Sequence, residues 1–277
     1  NTTPCSFDVI VTDDEAPVVS GCPSDITTGT DAGVCTAVVT WTEPTALDNC
    51  DGALSYDTRS HAPGATFASG TTTVTYTFMD AAGNTTPCSF DVIVTDDEAP
   101  VISAIGSLNI SLCLNEPYSD AGATASDNCD GDITGSIVTN NPVNTSIPDT
   151  YQVTYDVMDA AGNPATQVVR TVTVHALPVV TLNDPADVCL TGADMNFTGT
   201  PTDANGSFTT TAGAGFTDNG DGTAVLDVSV AGVGTYDVTY TYTDGNGCQA
   251  SETVSVTITS CALNFTGRVI WEADHLT

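Results

Sequence analysis

Carboxylates and carboxamides are the side chains here whose types and spacing could do chemistry. Asp13, Asp14 and Glu15 form one run, Asp48 and Asn49 a second, and Asp80 with Asn84 a third. The same segments return as Asp96, Asp97 and Glu98, then Asp127 and Asn128, then Asp159 and Asn163. Hard oxygen donors suit a divalent cation, and calcium accepts six to eight of them from flexible loops at about 2.3–2.6 Å. The pattern predicts one Ca2+ site per set, if the fold brings the three segments together. The alternative is that Asp and Asn only shape turns and stay solvated. A third set is thinner: the linker HALPVV has no acid, leaving Asp203, Asn205, Asp244 and Asn246.

Strands must do the positioning. Residues 74–84 read VTYTFMDAAGN, 153–163 read VTYDVMDAAGN, and 238–246 read VTYTYTDGN. Apolar residues alternate with polar ones in each: Val74, Tyr76, Phe78; Val153, Tyr155, Val157; Val238, Tyr240, Tyr242. A period of two means a strand with one buried face. The closing aspartates Asp80, Asp159 and Asp244 lie 79 and 85 residues apart, which sets one small β-domain per copy. In such a domain the first strand starts at one pole, here the near pole. The loop between the second and third strands returns there, and so does the turn between the last two. Linker, Asp-Asn loop and D-x-x-G-N turn should therefore converge.

Residues 1–17 and 84–100 are the same string, NTTPCSFDVIVTDDEAP. Residues 1–16 thus read as the last strand of a preceding domain, and the chain as an excerpt from a tandem array. Domains follow at 17–95, 96–175 and 176–259, with residues 260–277 as the first strand of another. Within 17–95, VCTAVVTW is a strand with Cys35, Ala37, Val39 and Trp41 on one face. EPTALDNCDG reads as a loop, and CSFDVIVTD as a last strand with Phe90, Val92 and Val94 inward. Short strands between Gly, Pro, Asn and Asp turns make the fold class all-β, with one β-sandwich per domain in a tandem, extended array.

The segments GVCTAVVTWTEPTALDNC, PGATFASGTTTVTYTFMDAAGN and CSFDVIVTDDEAP resemble the hyalin-repeat (HYR) family over essentially all of 17–95. The resemblance implies an immunoglobulin-like sandwich found in tandem in extracellular adhesion proteins, including large bacterial surface proteins, and no enzymatic activity. EPYSDAGATASDNCDGDIT resembles another bacterial Ig-like repeat, and 176–259 a generic Ig-like or PKD-like one.

Ten cysteines with no CxxC and no Cys/His cluster at zinc spacing read as disulfides made in an oxidising, extracellular setting. Cys35 and Cys50 are 15 apart and Cys113 and Cys129 are 16 apart, each pair ending in a DNCDG loop, so the spacing suggests two local bridges. Cys22 opens the first strand and Cys88 the last. These strands run parallel at one edge of an Ig-like sandwich, which pairs Cys22 with Cys88 and, by the same logic, Cys189 with Cys248. Cys5 and Cys261 then have partners elsewhere.

Charge excludes some functions. With 35 acidic and 3 basic residues the formal net charge is -32, so nothing neutralises nucleic-acid phosphates or an anionic membrane. A salt-adapted acidic surface is the plain alternative explanation. No run of 18 apolar residues predicts membrane insertion. His61, His175 and His275 are too scattered for a catalytic set, and the paired acids lie in polar loops rather than a cleft. The expected function is a stalk or filament segment of a large extracellular surface protein, stiffened by disulfides and calcium. Its partners would be neighbouring domains, like chains in a fibre, or surface glycans. A glycan- or protein-binding module and an accessory region of a secreted hydrolase are the alternatives.

Overall fold

The computed structural model describes residues 2–261. The C-terminal stretch read as a first strand lies outside the described residues apart from its first two positions. The chain packs as two compact units. One runs to Leu108 and takes in Asp120–Asn141 and Val153–Arg170; the other holds Asn109–Ser119, Pro142–Gln152 and the described chain from Thr171 onward.

The first unit contains a complete sandwich. Residues 2–16 form no strand, and Phe7, Val9, Ile10 and Val11 are exposed. β1 (Val18–Ser20), β2 (Ile26–Gly29), β3 (Thr36–Val39), β4 (Thr45–Asp48), β5 (Gly52–Leu54), β6 (Thr58–Arg59), β7 (Ala65–Ala68), β8 (Gly70–Met79) and β9 (Thr85–Thr95) follow. They make sheets ordered β1-β4-β5 and β2-β9-β8-β6, with β3 paired to β7. The alternation in β8 and β9 buries Val74, Tyr76 and Phe78 against Phe90, Val92 and Val94. Trp41 packs edge-on to Phe90 at 5.3 Å and donates its indole N–H to Tyr76 at 2.8 Å. Thr45–Asp48 corrects the expectation of a loop. It is a strand because Ala46 and Asp48 alternate inward while the segment pairs antiparallel with β1.

The same unit holds β10 (Val101–Ala104), β12 (Ala123–Asp127) and β13 (Gly131–Asp132) as one antiparallel sheet, numbered with β11 (Asn109–Cys113) of the other unit. β14 (Val138–Asn140) pairs with residues 154–156 of β15 (Asp149–Asp156). Ile102, Ala125, Val153, Tyr155 and Val157 are buried here. Arg170, 1% exposed, is ion-paired to Asp120 and bonded to Tyr155 Oη at 2.6 Å and Ser107 O at 3.0 Å. β15 and β16 (Val168–His175) each straddle the division between the units.

In the second unit β11 runs parallel to residues 171–175 of β16. β17 (Thr181–Leu182), β18 (Val188–Cys189), β19 (Met195–Thr200), β20 (Gly206–Thr210), β21 (Phe216–Asp218), β22 (Thr223–Leu226), α1 (Val228–Ala231), β23 (Gly234–Thr243) and β24 (Gln249–Thr259) build a further sandwich. Its sheets are ordered β17-β19-β22-β21 and β18-β24-β23-β20. Phe197, Phe208, Leu226, Val238, Tyr240 and Ile258 fill its core. Asp227 caps α1 by accepting from Ser229 N and Val230 N.

The disulfides are Cys22–Cys88, Cys35–Cys129 and Cys113–Cys248. Cys22 and Cys88 stand level because β2 pairs with β9 as Ile26↔Val92, four residues beyond each cysteine. The expected Cys35–Cys50 bridge does not form. Cys35 follows the turn that leaves β2, level with the end of β9, whereas Cys50 follows β4, which ends beside the start of β1. The two lie at opposite poles, a strand's length apart at about 3.3 Å per residue, beyond the Cα separation a disulfide allows. The expected Cys113–Cys129 bridge is excluded because Cys35 takes the Cys129 sulfur, and Cys113 bonds Cys248 instead. The expected Cys189–Cys248 bridge fails on register. Cys189 pairs with Thr259 at the end of β24, while Cys248 immediately precedes its start. Cys5, Cys50, Cys189 and Cys261 form no disulfide.

Candidate metal centre

The near pole of the first sandwich is built on Asp48, 4% exposed, where β4 runs into its turn. Its Oδ1 accepts from Cys50 N at 2.8 Å and Asp51 N at 2.9 Å. Asp51 then accepts from Ala81 N at 2.7 Å, which ties this turn to the next. In that second turn Asp80 accepts from Asn84 N at 2.7 Å and from Asn84 Nδ2 at 2.8 Å. Asn84 Nδ2 also reaches Asp13 O in the linker at 3.3 Å. Linker, Asp-Asn turn and D-x-x-G-N turn therefore meet. Ligand atoms of Asp13, Asp48 and Cys50 lie within 4.8 Å of one another.

The second near pole repeats this almost bond for bond. Asp127 Oδ2 accepts from Cys129 N at 2.7 Å and Asp130 N at 3.0 Å, and Asp130 accepts from Ala160 N at 2.7 Å. Asp159 accepts from Asn163 N at 2.7 Å and Nδ2 at 2.8 Å, and Asn163 Nδ2 reaches Asp96 O at 3.2 Å. Asp96, Asp127 and Cys129 offer ligand atoms within 4.8 Å of one another.

The comparisons with known proteins fall on these sandwiches. Residues 12–94 match the model of the HYR domain, and residues 102–174 that of a bacterial surface protein Ig-like domain. Residues 12–94 are a HYR domain. A bacterial surface Ig-like domain follows it. Hyalin of Lytechinus variegatus is 31% identical over 91% of this chain and 48% of its own length, so the chain spans about half of that relative. The outer cell wall protein of Brevibacillus brevis is 33% identical over 34% of this chain and 11% of its own. Among solved structures, protocadherin gamma B7 extracellular cadherin domains 1–4 are similar with a TM-score of 0.38 and 14% identity, over 88% of this chain and 76% of that one. Residues 12–174 thus carry two extracellular, adhesion-type repeat modules in tandem.

The joint between the HYR domain and the Ig-like domain has the fuller chemistry. Gly33 N donates to both Glu98 carboxylate oxygens, at 3.0 and 2.9 Å, and Asn128 Nδ2 donates to Val34 O at 3.1 Å. Cys35, next in the HYR turn, is bonded to Cys129. Asp127 Oδ1 and Asn128 Oδ1 are buried with no hydrogen-bond partner. A cleft of about 450 Å3, lined by Gly33, Glu98, Val101, Ser126, Asp127 and Asn128, lies beside them. Buried acceptors without donors are costly unless something else satisfies them. A calcium ion would do so, with Asp96 as a further oxygen ligand. The Cys129 sulfur is taken by its bridge and is not a ligand.

The charges agree. Burial raises the Asp96 pKa, and the negative charges of Asp127, Asp159 and Asp130 push the same way against one hydrogen bond from Glu98 N. For Asp80 and Asp159, burial raises the pKa, but the side-chain and backbone hydrogen bonds of Asn84 or Asn163 outweigh it and the values are lowered.

The fourteen sequence-selected acids and amides thus divide. Asp13 with Asp48, and Asp96 with Asp127, are brought together. Asp80 and Asp159 spend their oxygens on their own turns, and Asn84 and Asn163 present N–H donors to the linkers. Glu98 grips the preceding domain, Thr30 Oγ1 donates to Asp97 at 3.5 Å, and Glu15 accepts from Asn49. In the third set Asp203 accepts from Tyr242 Oη at 3.1 Å and Asp244 from Cys248 N at 2.9 Å; no acidic cluster forms there among the described residues. Asp51 and Asp130, which weld the two turns, were not selected. Their recurrence in both DNCDG strings was the available signal.

Proposed function

We propose that this chain is a spacer segment, a stalk or filament, of a large bacterial surface or secreted adhesion protein, with its joints held by disulfides and Ca2+. The observation that supports it is the joint between the HYR and Ig-like domains. There a covalent bridge, a carboxylate clasp on Gly33 and two donorless buried oxygens fall in one place. A bridge between domains serves no purpose in a freely hinged linker. It resists swivelling and separation under load. Asp96, Asp127 and Asn128 would hold the cation, which would cancel the repulsion that raises the Asp96 pKa. The charge of -32 keeps neighbouring chains apart and soluble. Fibre formation or glycan contact would involve the exposed loops.

The reading is tested by spin labels at the exposed positions Thr66 and Thr139, introduced without cysteine chemistry. It expects a narrow distance distribution in calcium that broadens on chelation. A broad distribution under both conditions would show a swivelling joint and defeat the spacer reading.

A further inference from the structure

Three side chains of the Ig-like domain clasp one turn of the HYR domain. Glu98 receives Gly33 N, Asn128 donates to Val34 O, and Cys129 is bonded to Cys35. Gly33 can aim its N–H this way because its φ is +75°, where glycine carries no steric cost. The HYR domain carries the same three residues at the same places on its own near pole: Glu15, Asn49 and Cys50. The scaffolds coincide, since Asp48 and Asp51 make the bonds that Asp127 and Asp130 make. Yet here Asn49 donates to Glu15, so the two clasp residues engage each other, and Cys50 is exposed and unbridged.

We propose that the near pole of the HYR domain is a docking surface for a Gly-x-Cys turn of a domain preceding residue 1, and that Cys50 forms a disulfide with that cysteine. Glu15 then turns to the glycine N–H and Asn49 to the carbonyl of the middle residue. Two thiols lose two protons and two electrons to make one S–S bond. An extracellular disulfide oxidant, small or protein-borne, accepts them and leaves as a dithiol.

The chain supplies its own test. Because residues 1–17 and 84–100 are identical, a copy of residues 17–83 placed directly ahead of residue 1 completes a second HYR domain there. In the chain alone, Cys50 is expected to be alkylated by iodoacetamide. In the extended chain, alkylation of Cys50 is expected to be lost, and a non-reducing peptide map should join Cys50 to the added copy of Cys35. Bridging of Cys5 to the added copy of Cys22 reports that the new domain has folded. Cys50 still alkylated while the Cys5 bridge is present overturns the proposal. The natural secreted protein gives a second reading. Cys50 joined there to a Gly-x-Cys peptide earlier in the same chain supports the proposal; Cys50 free, or joined to a separate chain, overturns it.

Discussion

Cys35 and Cys129 are bonded across 94 residues of sequence, and the bond joins two consecutive domains rather than closing a loop within one. It turns a linker of a few residues, DDEAP, into one side of a closed ring whose other side is covalent. In the chain-entropy model such a closure limits the unfolded state and contributes about 2–4 kcal/mol.

Replacing both cysteines, Cys35→Ser with Cys129→Ser, should therefore lower the denaturant midpoint of the joint-dependent transition, corresponding to about 2–4 kcal/mol. The Cys22–Cys88 bridge should persist in the variant. The measurement is guanidinium unfolding followed by Trp41 fluorescence. An unchanged midpoint would mean that the bridge stabilises neither domain.

Asp127 and Asp159 should separate in their effects. If calcium occupies the joint as proposed, Asp127→Asn takes a charge from its ligand set and should abolish calcium binding there, while leaving the turn bonds at Asp127 Oδ2 partly intact. Asp159→Ala leaves Asn163 N and Nδ2 without their acceptor and should cost about 1–3 kcal/mol with or without calcium. Paired melting curves in calcium and in chelator distinguish the two. Equal calcium dependence in both variants would contradict the division of roles.

Acidity should act with two signs. The raised Asp96 pKa means that its contribution favours the folded state below the unfolded value and is lost as pH rises through the folded one. The lowered values of Asp80 and Asp159 give stability that is present above the unfolded value and lost as pH falls through the folded ones. In chelator, the melting temperature should rise as pH falls through the raised Asp96 value toward the ordinary Asp value of 3.8, and fall once pH drops below it. A fall that is already under way above 3.8, with no preceding rise, would contradict the assignment.

Much of this architecture was legible in the sequence, because alternation survives any context. Val74, Tyr76 and Phe78 could only be a strand with one buried face, and they are. Meeting of the three polar segments also followed from topology alone. Disulfide partners were not legible beyond Cys22–Cys88. Spacing says how far apart two cysteines are along the chain, but not whether the path between them crosses from pole to pole. The 15 residues from Cys35 to Cys50 make that crossing. Reading Thr45–Asp48 as a loop failed for a related reason. Its apolar content is one alanine and one leucine, and its buried face is completed by an aspartate. Which acids could face a cation depended on hydrogen bonds that composition does not reveal, as with Asp80 and Asp159.

Arg170 is the one buried cation among the described residues, set against Asp120 and Tyr155. Arg170→Met should leave the part-buried Asp120 carboxylate with the Tyr155 hydroxyl but without its counter-charge, and destabilise by about 3–5 kcal/mol. Adding Asp120→Leu should recover most of that loss, since an apolar pair of similar volume costs little there. Chemical denaturation of the single and double variants checks both statements. No recovery in the double variant would show that packing of the guanidinium against Tyr155, at 5.5 Å from the ring, carries the effect instead.

Calcium titration calorimetry on the oxidised chain, run beside Asp127→Asn, bears most directly on the joint. Saturable heat from the Asp96–Asp127 site that is lost in the variant, with a calcium-induced rise in melting temperature that is larger in the parent chain, is the expected result. No heat and no shift in the parent chain would mean that the clustered carboxylates stay solvated and that the joint is held by its disulfide and hydrogen bonds alone.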